Sequence, residues 1–481
     1  MIYKNLISKY KNMKFSAPTT ANVEITEKCN ARCLHCYNPW REETMGVNSH
    51  TFETIKKTID ELKKAGVFHL IFTGGEPMSK MDVLYEALNY GKKLGFSFSL
   101  NSNLMLTTDA KMKKLASLGL DHVLTSFPSI EANENDRIMQ VKNSVNKIAK
   151  GILNCTNNGI RVSVNCVITK FNYKNVYATG KFVADLGVQK LFITRAVPPV
   201  YSYETTEKPV VSDEYNLTHE EAKSGLDQAL EVKKETGIML GTLVNFPVCF
   251  LGDLEKYQDF FGRGCPSQRG DRINVNSTGV MHTCVHEETE YGNILEDDLK
   301  DVYKTKMNKW HDKKQMVYEG CTGCSYIDSC YSGCQMVALA FNGKFGTKDP
   351  LFVGPNSVTK KFMINDDIFK NLEKKLDTPG LTLTINSNLR HRKEEGFYLV
   401  NVQWGNSISV RNEIAEFTKN KKGQALNISE IPFNKSTIVF LILKNILQNK
   451  DIDIGKELKS QGLSFNFETL PYFKSVNELK N

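Results

Sequence analysis

From about residue 20 to 240, short apolar runs alternate with longer stretches whose apolar residues recur at helical spacing. The runs predict strands over 22–26, 69–73, 97–101, 122–126, 161–168 and 190–194. The stretches between them predict helices, for example 52–65, 82–94 and 110–118, each followed by a glycine (Gly66, Gly95, Gly119) suited to a helix end. Strand and helix in alternation imply a parallel sheet, right-handed crossovers and ligands at the carboxyl ends of the strands. Six such units fit the α/β class and an open, partial (β/α)6 TIM-like barrel better than a closed eight-stranded one.

After about Leu376 the pattern changes. Runs over 382–385, 396–402 and 407–410 read as strands, followed by helical 412–418 and 437–448. Strands followed by helices at this size predict a small α+β, winged-helix-like module. The chain then divides into 1–240, 241–375 and 376–481. Residues 420–422 and the tail past Val476 read as solvated.

Composition narrows the class. A length of 481 residues predicts two to four domains, and 41% hydrophobic with 24% charged residues is the balance of a globular protein with ample core. No apolar stretch is long enough to cross a bilayer, and the start at Met1 lacks the apolar region and cleavage site of a secretion signal. The 12 cysteines are grouped at metal-ligand spacings, so a reduced, cytoplasmic location is expected rather than a disulfide framework. The net charge of +8 is spread over Lys-rich helix faces, which argues for a solvated surface and against nucleic acid or membrane partners. Such a surface could help attract an acidic peptide.

The chemistry begins at Cys29, Cys33 and Cys36, directly after the first predicted strand. Three thiolates this close can hold three irons of a cubane iron–sulfur cluster and leave the fourth iron without a protein ligand. A zinc knuckle is the alternative, but zinc sites close with four ligands and favour two-residue gaps. Gly74-Gly75-Glu76-Pro77 follows the second strand, where paired glycines admit close backbone approach and a carboxylate can accept from an ammonium group. The triad, with aromatic Tyr37 after its last cysteine, and this glycine motif together resemble the radical S-adenosylmethionine (radical SAM) enzymes. That resemblance implies a [4Fe–4S] cluster on the triad, S-adenosyl-L-methionine (SAM) on the open iron, and SAM contacts from Tyr37, Gly74, Gly75, Glu76 and Pro77. It also implies that Ser126, at the end of the fourth strand, and Arg137, eleven residues on, bind the SAM carboxylate; a planar guanidinium suits that task, whereas a surface charge at a helix start is the bland reading. Ser126-Phe127-Pro128-Ser129 and Asn101-Ser102-Asn103 depart from the commoner Ser-Leu-Asp-Gly and Thr-Asn-Gly of the family.

A second cysteine set lies at 249, 265, 284, 321, 324, 330 and 334. Gaps of two, five and three residues separate Cys321, Cys324, Cys330 and Cys334, and Gly279 stands five residues before Cys284. A zinc ribbon could use the last four but would leave Cys265 and Cys284 unexplained. The segment 275–281 reads as a hairpin that folds Cys265 and Cys284 together. The spacing resembles the SPASM extension of radical SAM enzymes, which implies two auxiliary [4Fe–4S] clusters, three in all. By that resemblance the first uses Cys265, Cys284 and Cys334 with Cys249 as fourth ligand. The second uses Cys321, Cys324 and Cys330 and has an open or non-cysteine fourth site, because no cysteine follows 334. Cys155 and Cys166 read as core thiols.

The resemblance implies an enzyme acting on a ribosomally made precursor peptide, with flavodoxin or ferredoxin as reductant. A deoxyadenosyl radical would remove hydrogen from the peptide, the peptide radical would form an intrapeptide cross-link (C–C, C–O or thioether), and the auxiliary clusters would accept the surplus electron. The terminal module resembles leader-peptide recognition domains, whose exposed strand edge pairs with the substrate; a packing or dimerisation role is the alternative. Rival readings are a sulfatase-maturing (formylglycine-generating) enzyme, a small-molecule oxidase or decarboxylase, and a non-catalytic iron–sulfur electron carrier or peptide chaperone. The sulfatase-maturing enzymes carry an aspartate after the second SPASM cysteine, where this chain has Val285 and His286. No catalytic base is assigned, and Glu287, His286 and Arg195 are loose candidates.

Overall fold

Strands β1 (Thr20–Thr26), β2 (His69–Gly74), β3 (Ser97–Asn101), β4 (Leu120–Ser126), β5 (Arg161–Ile168), β6 (Lys190–Arg195) and β7 (Met239–Gly241) pair in chain order, all parallel. β8 (Arg272–Val275) lies parallel to β1 on its other side, and β9 (Met281–His282) completes a hairpin with it. β7 and β9 are the two edges of this nine-stranded sheet, so the barrel is open. Each expected strand is present with bounds within two residues. The seventh, only three residues long, is too short to show a period.

The computed structural model describes residues 15–36, 48–198, 212–261, 264–311, 316–361, 367–403, 406–449 and Ile452. They separate into two compact units, one of Ser16–Thr359 and one of Phe15 together with the residues from Lys360 onward.

The two faces of the barrel sheet differ in chemistry. Val23, Leu70, Phe72, Phe98, Val164 and Ile193 are all but fully buried, and the helix Met81–Lys93 lays Gly91 directly on Phe98 and Leu70. Each such side chain contributes about 1.5–3 kcal/mol by leaving water. The alternate positions mix apolar residues such as Ile71, Leu124 and Phe192 with many polar ones, which is unusual for a parallel sheet covered on both faces. His69 bonds Ser97 at 2.8 Å and Ser99 at 3.0 Å, His122 bonds Ser163 at 2.9 Å, and Asn22 donates to Asn274 at 2.6 Å. Since the helices cover the apolar face, this polar face is the concave inner one. The outer helices end as their glycines foretell: Phe52–Ala65 starts with a Thr51–Thr54 capping box and stops at Gly66, whose φ of 82° is left-handed.

In the second unit, β10 (Thr382–Ile385) is flanked by β14 (Ala425–Asn427) and β15 (Leu447–Gln448). β11 (Arg390–Glu394), β12 (Phe397–Gln403) and β13 (Asn406–Val410) form a second antiparallel sheet. The expected helix over 412–418 runs Asn412–Asn420. The expected helix over 437–448 is instead Lys435–Leu443, ended at Asn445 with φ of 57°, after which the chain turns into β15. No helix among the described residues is long and apolar enough to cross a membrane.

Candidate active site and cysteine clusters

The loop after β1 carries Cys29, Cys33 and Cys36, all half-buried. The glycine motif after β2 holds that loop. Gly75 N–H donates to Thr26 O and Glu76 N–H to Lys28 O, each at 2.6 Å. A Cβ on Gly75 would stand 2.0 Å from Lys28 O, and one on Gly74, whose φ is +132°, 2.4 Å from Thr26 O. Glycine is therefore required at both positions for the cysteine loop to lie where it does.

Glu76 is buried, and its carboxylate is engaged within the chain. Oε1 accepts from Met78 N–H at 3.0 Å and from Ser102 Oγ at 2.8 Å, and Oε2 accepts from Asn103 N–H at 2.8 Å. The departing Asn101-Ser102-Asn103 sequence thus supplies Glu76's partners. Pro77 opens the short 3₁₀ turn Pro77–Lys80 that Glu76 caps.

Cys33 packs against the end of the helix Ala132–Met139, its Sγ 3.6 Å from Met139 Sδ, while Leu34 N–H donates to Ile138 O at 2.9 Å. Tyr215 OH donates to Leu34 O. His35, between Leu34 and Cys36, has its pKa lowered to about 4 by burial. Arg137 sits on the same helix, its guanidinium 4.1 Å from the centre of the Phe171 ring. Ser126 ends β4 opposite Asn165 of β5. The buried Asn165 Oδ1 has no hydrogen-bond donor among the described residues, a polar atom suited to a ligand that sequence reasoning missed. Tyr37 lies outside the described residues.

Glu27 connects this loop to the second cysteine region, accepting from Asn48 N–H at 3.2 Å and from Ser277 Oγ at 3.3 Å. Ser277 lies in the turn between β8 and β9, the hairpin expected from Gly279. Ser267 Oγ donates to Thr283 O at 2.7 Å and so ties the flank of Cys265 to that of Cys284. Burial raises the Cys284 thiol well above its usual range, and the nearby Cys265 and Cys334 sulfurs add to this. Cys334 is pushed up to about 11 by burial, with Arg195 opposing the rise and Cys265 adding to it.

A second group lines a small cavity, whose walls include Cys249, Cys321, Cys324 and Cys330. Val248 N–H donates to Cys330 Sγ at 3.4 Å. Burial pushes Cys330 up to about 12, and Cys249 and Cys321 raise it further. By the resemblance Cys249 goes with Cys265; in the fold it lines the cavity that Cys321, Cys324 and Cys330 also line. The helix Val248–Leu251 begins at Pro247, which lines the same cavity.

Among the described residues no three His, Cys, Asp or Glu side chains converge on the single point a metal ion would occupy. Cys155 and Cys166 are buried thiols raised to about 12 by desolvation. Two of the three loose base candidates have other work. Glu287 accepts from Tyr291 OH at 2.7 Å, from Trp310 Nε1 at 2.8 Å and from Thr283, while Arg195 pairs with Asp349. His286 Nδ1 stands 3.8 Å from Cys284 Sγ, and burial lowers its pKa to about 4.

Residues 23–183 match the Radical SAM superfamily, a span that runs from β1 to beyond β5 and takes in the cysteine loop and the glycine motif. The chain carries a radical SAM domain. With this domain the protein is an enzyme, and its similarity to other radical SAM proteins extends further along the sequence. PqqA peptide cyclase of Methylobacterium nodulans is 25% identical over 347 residues, covering 69% of this chain and 86% of the relative. The tungsten-containing aldehyde ferredoxin oxidoreductase cofactor-modifying protein of Pyrococcus furiosus is 24% identical over 339 residues, covering 64% and 87%. Among solved structures, Streptococcus suis SuiB bound to its precursor peptide SuiA superposes with a TM-score of 0.52 at 17% identity, covering 74% of this chain and 79% of that one. Native anSMEcpe with bound AdoMet gives 0.56 at 16% identity, covering 69% and 94%. Both share the fold of this chain.

Proposed function

We propose that the protein is a radical SAM maturase that removes hydrogen from a ribosomally made precursor peptide and closes an intrapeptide cross-link, whether C–C, C–O or thioether. The observation that carries this reading is the similarity to PqqA peptide cyclase, which spans 86% of that relative and extends well beyond the radical SAM domain itself. Cys29, Cys33 and Cys36 would hold a [4Fe–4S] cluster that, reduced by a flavodoxin or ferredoxin, would supply the electron for radical chemistry with SAM.

The chain's own residues position and enclose. Gly74 and Gly75 fix the cysteine loop by admitting Thr26 O and Lys28 O at contact distance. Ser126 and Arg137 bind the SAM carboxylate, with Phe171 holding the guanidinium plane. The open barrel edges and polar inner face admit an extended peptide, and placing one carbon beside the adenosyl group supplies most of the selectivity. Residues 1–240 form the catalytic barrel and 241–375 the SPASM domain with two auxiliary clusters. Residues 376–481 recognise the leader by strand addition at an exposed edge.

Coexpression with candidate precursor peptides, the first choice being any short open reading frame beside the gene, tests this reading. A product lighter by two hydrogens, found only with intact Cys29, Cys33 and Cys36, is expected; an unmodified peptide would overturn it.

A further inference from the structure

We infer that Cys249 is the fourth thiolate of the Cys321, Cys324 and Cys330 site, which is thereby a complete four-cysteine cluster site, and that Cys265, Cys284 and Cys334 form the three-thiolate set. The inference rests on the auxiliary-cluster reading above and departs from the sequence-based pairing at both sites. Its support is geometric. Cys249, Cys321, Cys324 and Cys330 line one cavity, and none of Cys265, Cys284 and Cys334 lines it. The amide next to Cys249 donates to the sulfur of Cys330, 82 positions away in sequence. N–H···S bonds of this kind are usual around cluster thiolates and tune their charge.

The chain makes the exchange feasible. Cys334 stands by Cys284 rather than in the cavity, which leaves Cys249 as the thiol beside Cys321, Cys324 and Cys330. The short helix Val248–Leu251 brings Cys249 there. At the other set, Cys284 is accompanied by Cys265 and Cys334. An iron without a cysteine ligand in that set is the one open to an exogenous donor such as a substrate thiol, amine or carboxylate.

The test isolates each site in the full-length chain. One background carries Cys29→Ala, Cys33→Ala and Cys36→Ala with Cys265→Ala and Cys284→Ala. The other carries the same triad changes with Cys321→Ala and Cys324→Ala. Each is reconstituted anaerobically with iron and sulfide and then treated with ferricyanide. The oxidant takes one electron from a [4Fe–4S]²⁺ cluster, which releases Fe²⁺ from a weakly held corner and becomes [3Fe–4S]⁺, read by electron paramagnetic resonance.

In the first background the cluster is expected to resist conversion, and adding Cys249→Ala to make it convert. In the second, conversion is expected whether residue 249 is Cys or Ala. Conversion in the first background with Cys249 intact, or resistance in the second that depends on Cys249, would overturn the assignment. Where the Ala chain does not load, Cys249→Ser keeps size and an oxygen donor; a midpoint potential that shifts in the first background only is expected, and a shift in the second only would overturn it. A chain that binds no iron in either background refutes the auxiliary-cluster reading itself, a result distinct from misplacement of Cys249.

Discussion

Arg195, the last residue of β6, forms a two-pronged ion pair with Asp349, Nη1 to Oδ1 at 2.8 Å and Nη2 to Oδ2 at 2.5 Å, with both side chains almost wholly buried. Asp349 also accepts from Cys334 N–H at 3.3 Å and from Leu351 N–H at 2.9 Å, so the pair fastens the carboxyl end of a barrel strand to the last cysteine. Removing one partner leaves a buried charge uncompensated, which costs about 3–5 kcal/mol. Arg195→Met alone should lower unfolding stability by that amount, and the double change Arg195→Met with Asp349→Asn should recover at least half. Equal losses in the single and double variants in denaturant titrations would show that the pair is not the fastening.

Gly75→Ala places a methyl group 2.0 Å from Lys28 O, so the loop bearing Cys29 must move. A displacement near 1 Å in a reaction that depends on positioning costs about a hundredfold in rate. Production of 5′-deoxyadenosine by the reconstituted Gly75→Ala enzyme should fall by about that factor. Wild-type rates in this variant would mean that the glycine contact does not position the cluster loop.

The histidine on the inner face of β4 makes stability depend on pH. His122 has its pKa lowered from 6.5 to about 4, by burial first and then by Arg161 and Lys190. The fold therefore keeps the ring neutral while the unfolded chain takes up a proton. Its contribution is fully present above pH 6.5 and is lost as the pH falls towards 4. Because the ring is only half-buried, the loss is on the order of 2 kcal/mol. Denaturation midpoints measured from pH 7.5 to 4.5 should fall more steeply for the wild type than for His122→Asn; identical slopes would contradict the assignment.

The barrel was legible because six of its strands carry apolar runs long enough to read and helices such as Phe52–Ala65 stop at a glycine. What escaped had no such signal. β11 is Arg-His-Arg-Lys-Glu, a run without apolar alternation, and its pairing with β12 supplies the order that its composition does not. The Lys435–Leu443 helix stops early because Asn445 takes a left-handed conformation, a choice apolar periodicity does not encode.

At the site, residue types were legible and partners were not. Cys29, Cys33 and Cys36 could be singled out by spacing, since ligands four and three positions apart lie close in any loop. Cys249 is 16 residues from Cys265 and 72 from Cys321, and the resemblance that assigns it to the Cys265 site carries no information about which cysteines line one cavity with it. Likewise Glu287 looked available as a base until Tyr291, Trp310 and Thr283 were found on its carboxylate.

The most direct measurement uses precursor peptide deuterated at carbon, incubated anaerobically with the reconstituted enzyme, SAM and dithionite. Deuterium in the 5′-deoxyadenosine recovered, with a peptide lighter by two hydrogen-isotope atoms, is the expected result. 5′-Deoxyadenosine that carries no deuterium at any peptide concentration, or none formed at all, would contradict hydrogen abstraction from a peptide.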